Sequence, residues 1–159
     1  MNKKIMLRII FTIMLIIHFI VIFQFSSQNG KTSTVTSTRT MYKIIDVING
    51  DKEVTKEEVE MYEPILRKLA HFGIYTFVGI WGMCLMSTFF EKNDENKRLQ
   101  LQLKSAILIG FIYACSDEIH QLFSEGRSAE ITDIIIDTLG VALGAVIVAC
   151  LLKICNKNK

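Results

Sequence analysis

Residues 103–152 read LKSAILIGFIYACSDEIHQLFSEGRSAEITDIIIDTLGVALGAVIVACLL, two apolar runs separated by a short polar stretch. Each run has about the 20 residues that a helix needs to cross a bilayer. Neither alternates apolar with polar residues as a membrane β-strand does, and in lipid only helices and closed barrels satisfy their backbone groups. The stretch therefore predicts two membrane helices, 103–123 and 131–152, joined by a short turn. Two more runs of the same kind stand upstream, at 70–90 and at 5–25, the latter broken only by Arg8, Thr12, His18 and Gln24. The expectation is an all-α integral membrane four-helix bundle, up-down-up-down, a single domain over 1–159 with loop 26–69 between the first two spans.

Composition points the same way. Half of the 159 residues are apolar, and a single proline with nine glycines excludes collagen-like and low-complexity chains. A net charge of +2 with scattered basic residues excludes a nucleic-acid footprint, so the expected partners are membrane lipids and not nucleic acid. Four cysteines are too few for a disulfide scaffold. Cys84, Cys115, Cys150 and Cys155 all fall in apolar runs and are expected to be small buried thiols.

The first run follows Lys3, Lys4 and Arg8, a positive start that also suits a signal peptide. Its apolar stretch exceeds the usual signal core, and no alanine precedes Ala70 to form a cleavage site, so an uncleaved anchor is expected. Basic residues in short loops set orientation. With the N-terminus inside, ten fall on the inner side: Lys3, Lys4, Arg8, Lys92, Lys97, Arg98, Lys104, Lys153, Lys157 and Lys159. Outside are Arg127 and seven in the long loop, where seven acidic residues balance them. Both termini are expected in the cytoplasm.

Within loop 26–69, the Ser/Thr-rich stretch 32–40 is expected to be flexible or extended. Met41, Ile44, Ile45 and Ile48 form a helical stripe suited to the membrane surface. Thr55 with Glu58 fits a capping box, and Pro64 is expected in the first turn of the second membrane helix.

Polar residues inside membrane helices are costly and mark function, and here their placement is ordered. Ser26, Ser27 and Gln28 end the first span; Arg67, Lys68, His71 and Tyr75 begin the second. Asp117, Glu118, His120 and Gln121 end the third, and Asp133 and Asp137 begin the fourth. In the expected topology all four ends meet on the outer face. Arg67, His71 and Tyr75 share one helix face, as do Tyr113, Asp117 and Gln121. Gly140 and Gly144 form a small-xxx-small pair that lets a neighbouring helix close in and turns the acidic face of the last span inward. Asp117 and Asp137 each stand about six residues from a helix end, about 9 Å at 1.5 Å per residue, which places them in a polar pocket below the headgroups. His18 lacks such neighbours and reads as structural.

These residues also carry a resemblance. RKLAHFGIY at 67–75 is similar to the second-helix signature of VanZ-like membrane proteins, and DEIHQLFSEGRSAEITDIIIDTLGVALG at 117–144 resembles the family's more distinctive block. FSSQ at 25–28 is similar to the family's pattern after the first helix. One position departs: Asp137 stands where the family usually has asparagine, which changes the pocket's charge and allows a further metal-ligand carboxylate. The resemblance implies a small multi-pass protein of the bacterial cell membrane. It also implies a link to the cell envelope and to low-level teicoplanin resistance, without a settled activity.

Two classes of function remain open on the residues. As an enzyme on a lipid-linked envelope precursor, Asp117, Glu118, His120 and His71 would supply acid–base groups. Arg67, Lys68 and Arg127 would hold a phosphate, with Tyr75, Gln121, Asp133, Asp137, Ser27 and Gln28 completing the pocket. Ser26 or Ser27 beside a histidine would form a nucleophilic dyad only if the fold joins them. As a binding protein, the same pocket would hold a lipid headgroup or a partner. His71, His120, Glu118, Asp133 and Asp137 are ligand types that zinc or manganese accepts, but no closely spaced pair of the H-E-x-x-H kind is present, so no metal is assigned. Cofactor and oligomeric state are not specified by the sequence.

Overall fold

The structure, a computed structural model, describes residues 2–49, 55–90 and 94–157. Lys52, Lys92 and Lys159, counted in the charge balance, lie outside them. The described residues form five helices and no strand: α1 Lys3–Ser26, α2 Gly30–Asn49, α3 Lys56–Ser87, α4 Glu95–Gln121 and α5 Ile131–Lys157. α1, α3, α4 and α5 are each long and apolar enough to span a membrane. Their outer faces carry Ile9, Ile13, Ile16 and Ile20 on α1, Ile112 and Ile119 on α4, and Leu139 and Leu143 on α5, all exposed. A continuous apolar surface of this extent is unfavourable in water and suits lipid.

α3 and α5 form the tightest pair. A Cβ on Gly144 would collide with the Thr76 carbonyl, and one on Gly140 with that of Phe72, so the small-residue pair brings the two backbones together as its spacing requires. α4 closes the core through Ala106 and Ala114, which lie among Met83, Tyr75 and Val141. α1 leans on this unit through aromatic contacts. Phe11 meets Trp81 at 6.4 Å, His18 meets Phe77 at 5.9 Å and Phe19 stacks on Tyr113 at 3.8 Å. The Tyr113 hydroxyl donates to the Phe19 carbonyl at 2.6 Å. His18 donates from Nδ1 to the Met14 carbonyl at 2.9 Å, a structural placement. Arg8, the charge in the first apolar run, donates to the Thr88 carbonyl at 2.6 Å and lies over the Phe89 ring.

The segment expected to be loop 26–69 is where sequence and structure part. Residues 32–40 are neither flexible nor extended but belong to α2. Hydroxyl residues usually compete with helix by bonding nearby backbone. Here Thr36, Ser37 and Thr40 donate to the carbonyls of Thr32, Ser33 and Thr36, four residues back, and Asn29 caps the start by accepting from the Thr32 amide at 2.8 Å. Tertiary packing then holds the helix. Met41 and Ile45 are buried against Val59, with Ile44 and Leu66 alongside, so the stripe docks on α3; Ile48 stays exposed. The Thr55–Glu58 capping box forms as expected. It starts α3 fourteen residues before the expected 70, which leaves Pro64 in the helix interior, not its first turn. The proline deprives the Glu60 carbonyl of its helical amide, and Glu60 is exposed, where water can replace it. α4 and α5 follow the expected runs, with α4 beginning at Glu95 and α5 continuing to Lys157. Cys84 and Cys115 are half-buried, but Cys150 and Cys155 are exposed, contrary to the burial expected of them. An apolar run is covered by lipid as readily as by protein, and hydropathy alone does not distinguish the two.

Candidate functional site

The ends of α1, α3 and α4, the start of α5 and the turn 122–130 converge. Glu118, 2% exposed, anchors the turn: its Oε2 accepts the Glu130 amide at 2.9 Å and its Oε1 accepts from Gln121 Nε2 at 3.0 Å. Gly126, at φ 75°, takes a left-handed conformation that non-glycine residues avoid. The turn then meets the start of α2, where the Gly30 amide donates to the Glu125 carbonyl at 2.9 Å. This aims Arg127 back into the bundle, donating to the Ser26 carbonyl at 3.1 Å and to Ser33 Oγ at 3.0 Å. Burial, reinforced by the like charge of Arg67, lowers the Arg127 pKa, and Asp117, Glu118 and Asp133 oppose the shift. An arginine so placed remains a cation.

A polar cavity of about 140 Å³ opens between these elements, lined by Arg67, Lys68, His71, Gln121, Arg127, Asp133 and Asp137 among others. Lys68 is committed, with Nζ 2.7 Å from Asp133 Oδ1 and 3.3 Å from Glu130 Oε2. Arg67 has no hydrogen bond or ion pair to any described residue and lines the cavity with a free guanidinium. Beneath lie Tyr75, Asp117 and Asp137, at 0%, 3% and 0% exposure. Asp117 accepts from Gln121 Nε2 at 3.3 Å. Among the described residues neither Asp137 oxygen nor the Tyr75 hydroxyl has a partner at hydrogen-bond distance, and His71 Nδ1 stands 3.8 Å from Asp137 Oδ1.

A second cavity of about 230 Å³, with largely apolar walls that include Phe25, Leu66 and Ile74, runs between α2 and α3. Gln28 lines it, and Arg67, His71 and Arg127 border both cavities. Ser27 and His120 stand apart from the other residues named from the sequence. Ser27 Oγ is 3.0 Å from His120 Nε2, on whose ring Phe23 stacks at 4.3 Å. Ser27 Oγ gives its single proton to the Phe23 carbonyl at 2.6 Å, which leaves His120 as donor to the serine, the reverse of a base activating a nucleophile.

The sequence reading missed the α2 residues that line the pocket, Gly30 and Thr34, because it gave that segment no regular structure. It also missed Glu130, which bonds Lys68 and holds Glu118. His71, Asp117 and Asp137 come within 4.8 Å of one another, counting one ligand atom from each. They belong to three different helices, so no spacing rule could have paired them.

The family model described as VanZ/LLP1 matches the chain over residues 11–153. No curated protein and no solved structure matches it.

Proposed function

Because this chain belongs to the VanZ/LLP1 family, we propose that it is a cell-envelope membrane protein that receives the anionic headgroup of a lipid-linked molecule in an outward-facing pocket. In a bacterial host this binding raises tolerance to teicoplanin. The observation that carries the reading is the position of Arg67, an uncommitted guanidinium at the junction of the polar cavity and the apolar groove. A phosphate would take bidentate bonds from Arg67, and the first part of an acyl or prenyl chain would follow the groove. Arg127 borders the same junction, already holding Ser26 and Ser33.

The up-down-up-down order with both termini in the cytoplasm belongs to this reading. It is supported by the contacts of α1 with α3, where Phe11 meets Trp81 and His18 meets Phe77, and by the cluster of basic residues at the opposite ends of the spans. Glu118 and His120 then support the pocket: Glu118 fixes the turn, and His120 joins α4 to α1 through Ser27.

Acid–base catalysis on the same lipid-linked substrate is the second reading, favoured by the buried Asp117 and Asp137 next to His71. The test is teicoplanin and vancomycin susceptibility of a sensitive host carrying wild type, Arg67→Gln, Glu118→Gln or empty vector at equal membrane abundance. Binding predicts that wild type raises teicoplanin tolerance, that Arg67→Gln removes it and that Glu118→Gln retains most of it. Collapse with Asp117→Asn in the same host, while Glu118→Gln retains tolerance, favours catalysis. Equality of wild type and empty vector overturns the envelope role.

A further inference from the structure

We propose that His71, Asp117 and Asp137 bind one divalent first-row cation, zinc or manganese, on the floor of the pocket. This goes beyond headgroup binding and does not rest on it.

One imidazole and two carboxylates are donors that both ions accept. At metal–ligand bonds of about 2.0–2.2 Å, the donors around one ion stand roughly 3–4.5 Å apart. One donor atom from each residue already falls within a 4.8 Å span, with His71 Nδ1 and Asp137 Oδ1 at 3.8 Å. That separation is too long for a hydrogen bond and suits two ligands of a common ion. Asp117 has its Oδ2 held by Gln121, leaving its other oxygen for the metal, a fixed carboxylate of the kind that supports metal ligands.

The polar atoms left over point the same way. Asp137 is fully buried and neither of its oxygens is hydrogen-bonded. The hydroxyl of Tyr75, equally buried, interacts with the Asp117 and Asp137 carboxylates but finds no partner within 3.5 Å among the described residues. Buried polar groups are almost always paired, and the two unpartnered oxygens of Asp137 call for a cationic or hydrogen-bonding occupant. Charge allows it as well: Lys68 is paired with Asp133 and Glu130, and among the described residues no basic side chain other than His71 lies within 4.0 Å of the Asp137 carboxylate. A divalent ion would neutralise both buried carboxylates and keep an open coordination position towards the cavity that His71 and Asp137 line.

The test uses full-length protein purified in detergent without a polyhistidine tag. Cys150 and Cys155 are exposed thiols that would take zinc themselves, so every variant carries Cys150→Ser and Cys155→Ser. After chelation and desalting, zinc or manganese chloride is titrated by calorimetry, bound metal is counted by elemental analysis, and thermal melting is followed with and without chelator. The expected result is one ion per chain, at least a tenfold loss of affinity in both Asp137→Asn and Asp117→Asn, and a wild-type melting temperature that falls on chelation. Asp137→Asn keeps the side chain's shape and removes a buried charge, so its melting temperature should be insensitive to chelator. Saturable binding absent for both ions overturns the proposal, as does binding unchanged in the two asparagine variants. Melting of Asp137→Asn above wild type, with chelator affecting neither, would also overturn it, because the buried charge would then be uncompensated. A negative result leaves headgroup binding standing, since that depends on Arg67 and the apolar groove.

Discussion

The amide of Glu130 donates to the carboxylate of Glu118 at 2.9 Å, and through this bond the end of α4 fixes the start of α5. Glu118→Ala removes the acceptor and orphans the amide, and the expected cost is about 2 kcal/mol. For a chain of this length that is roughly 4–8 °C of melting temperature. Glu118→Gln keeps one oxygen for the amide and should lose less than half as much. Thermal melting in detergent compares the two, and equal losses would show that the carboxylate charge, not this bond, stabilises the turn.

Helix α5 approaches α3 closely because Gly144, Gly140 and Gly79 have no side chains, whereas a Cβ added at Gly73 would meet open space, with nothing within 4 Å. Gly144→Ala should therefore destabilise by about 1–3 kcal/mol as an overpacked contact. Gly73→Ala should be neutral or stabilising, since alanine is the better helix former. Melting temperatures moving in the same direction would contradict this packing.

A small apolar cluster, Met41 and Ile45 against Val59, docks the far half of α2 on α3, beside the polar contacts of Gly30, Ser33 and Ser37. Burial of one such side chain stabilises by about 1.5–3 kcal/mol, so Ile45→Asp should release α2 while α3, α4 and α5 stay assembled. Hydrogen exchange should then accelerate across residues 30–49 and remain slow in α5. Acceleration in both regions would make α2 part of the cooperative core.

For the orientation, a membrane-impermeant maleimide should label Ser128→Cys in intact cells. It should reach Cys155, in a background with the other cysteines as serine, only after lysis. Both positions are exposed. The opposite pattern would place the pocket in the cytoplasm.

The four long helices were legible because hydropathy reports lipid contact over some 20 residues, and the capping box and the paired glycines are local signals of the same directness. Residues 32–40 misled because the hydroxyls of Thr36, Ser37 and Thr40 favour turns in general, and only docking of Met41 and Ile45 on α3 decides for helix. At the site, helical spacing brought Arg67, His71 and Tyr75 onto one face, and the structure joins them. The proximity of His71, Asp117 and Asp137 depends on how three helices pack, a relation between segments that no window of sequence contains.

The length of α3 has a consequence for where the pocket sits. Its 32 residues extend about 48 Å, well beyond a hydrocarbon core of about 30 Å. Twenty residues counted back from Ser87 reach Lys68, so Arg67 and Lys68 fall at the rim of the oily layer while His71 and Tyr75 lie one and two turns beneath it. On the proposed headgroup reading the site would act as a depth gauge. A thicker bilayer would submerge its rim cations and a thinner one would wet its floor, so that lipid chain length would tune the affinity of a pocket whose own side chains have not changed.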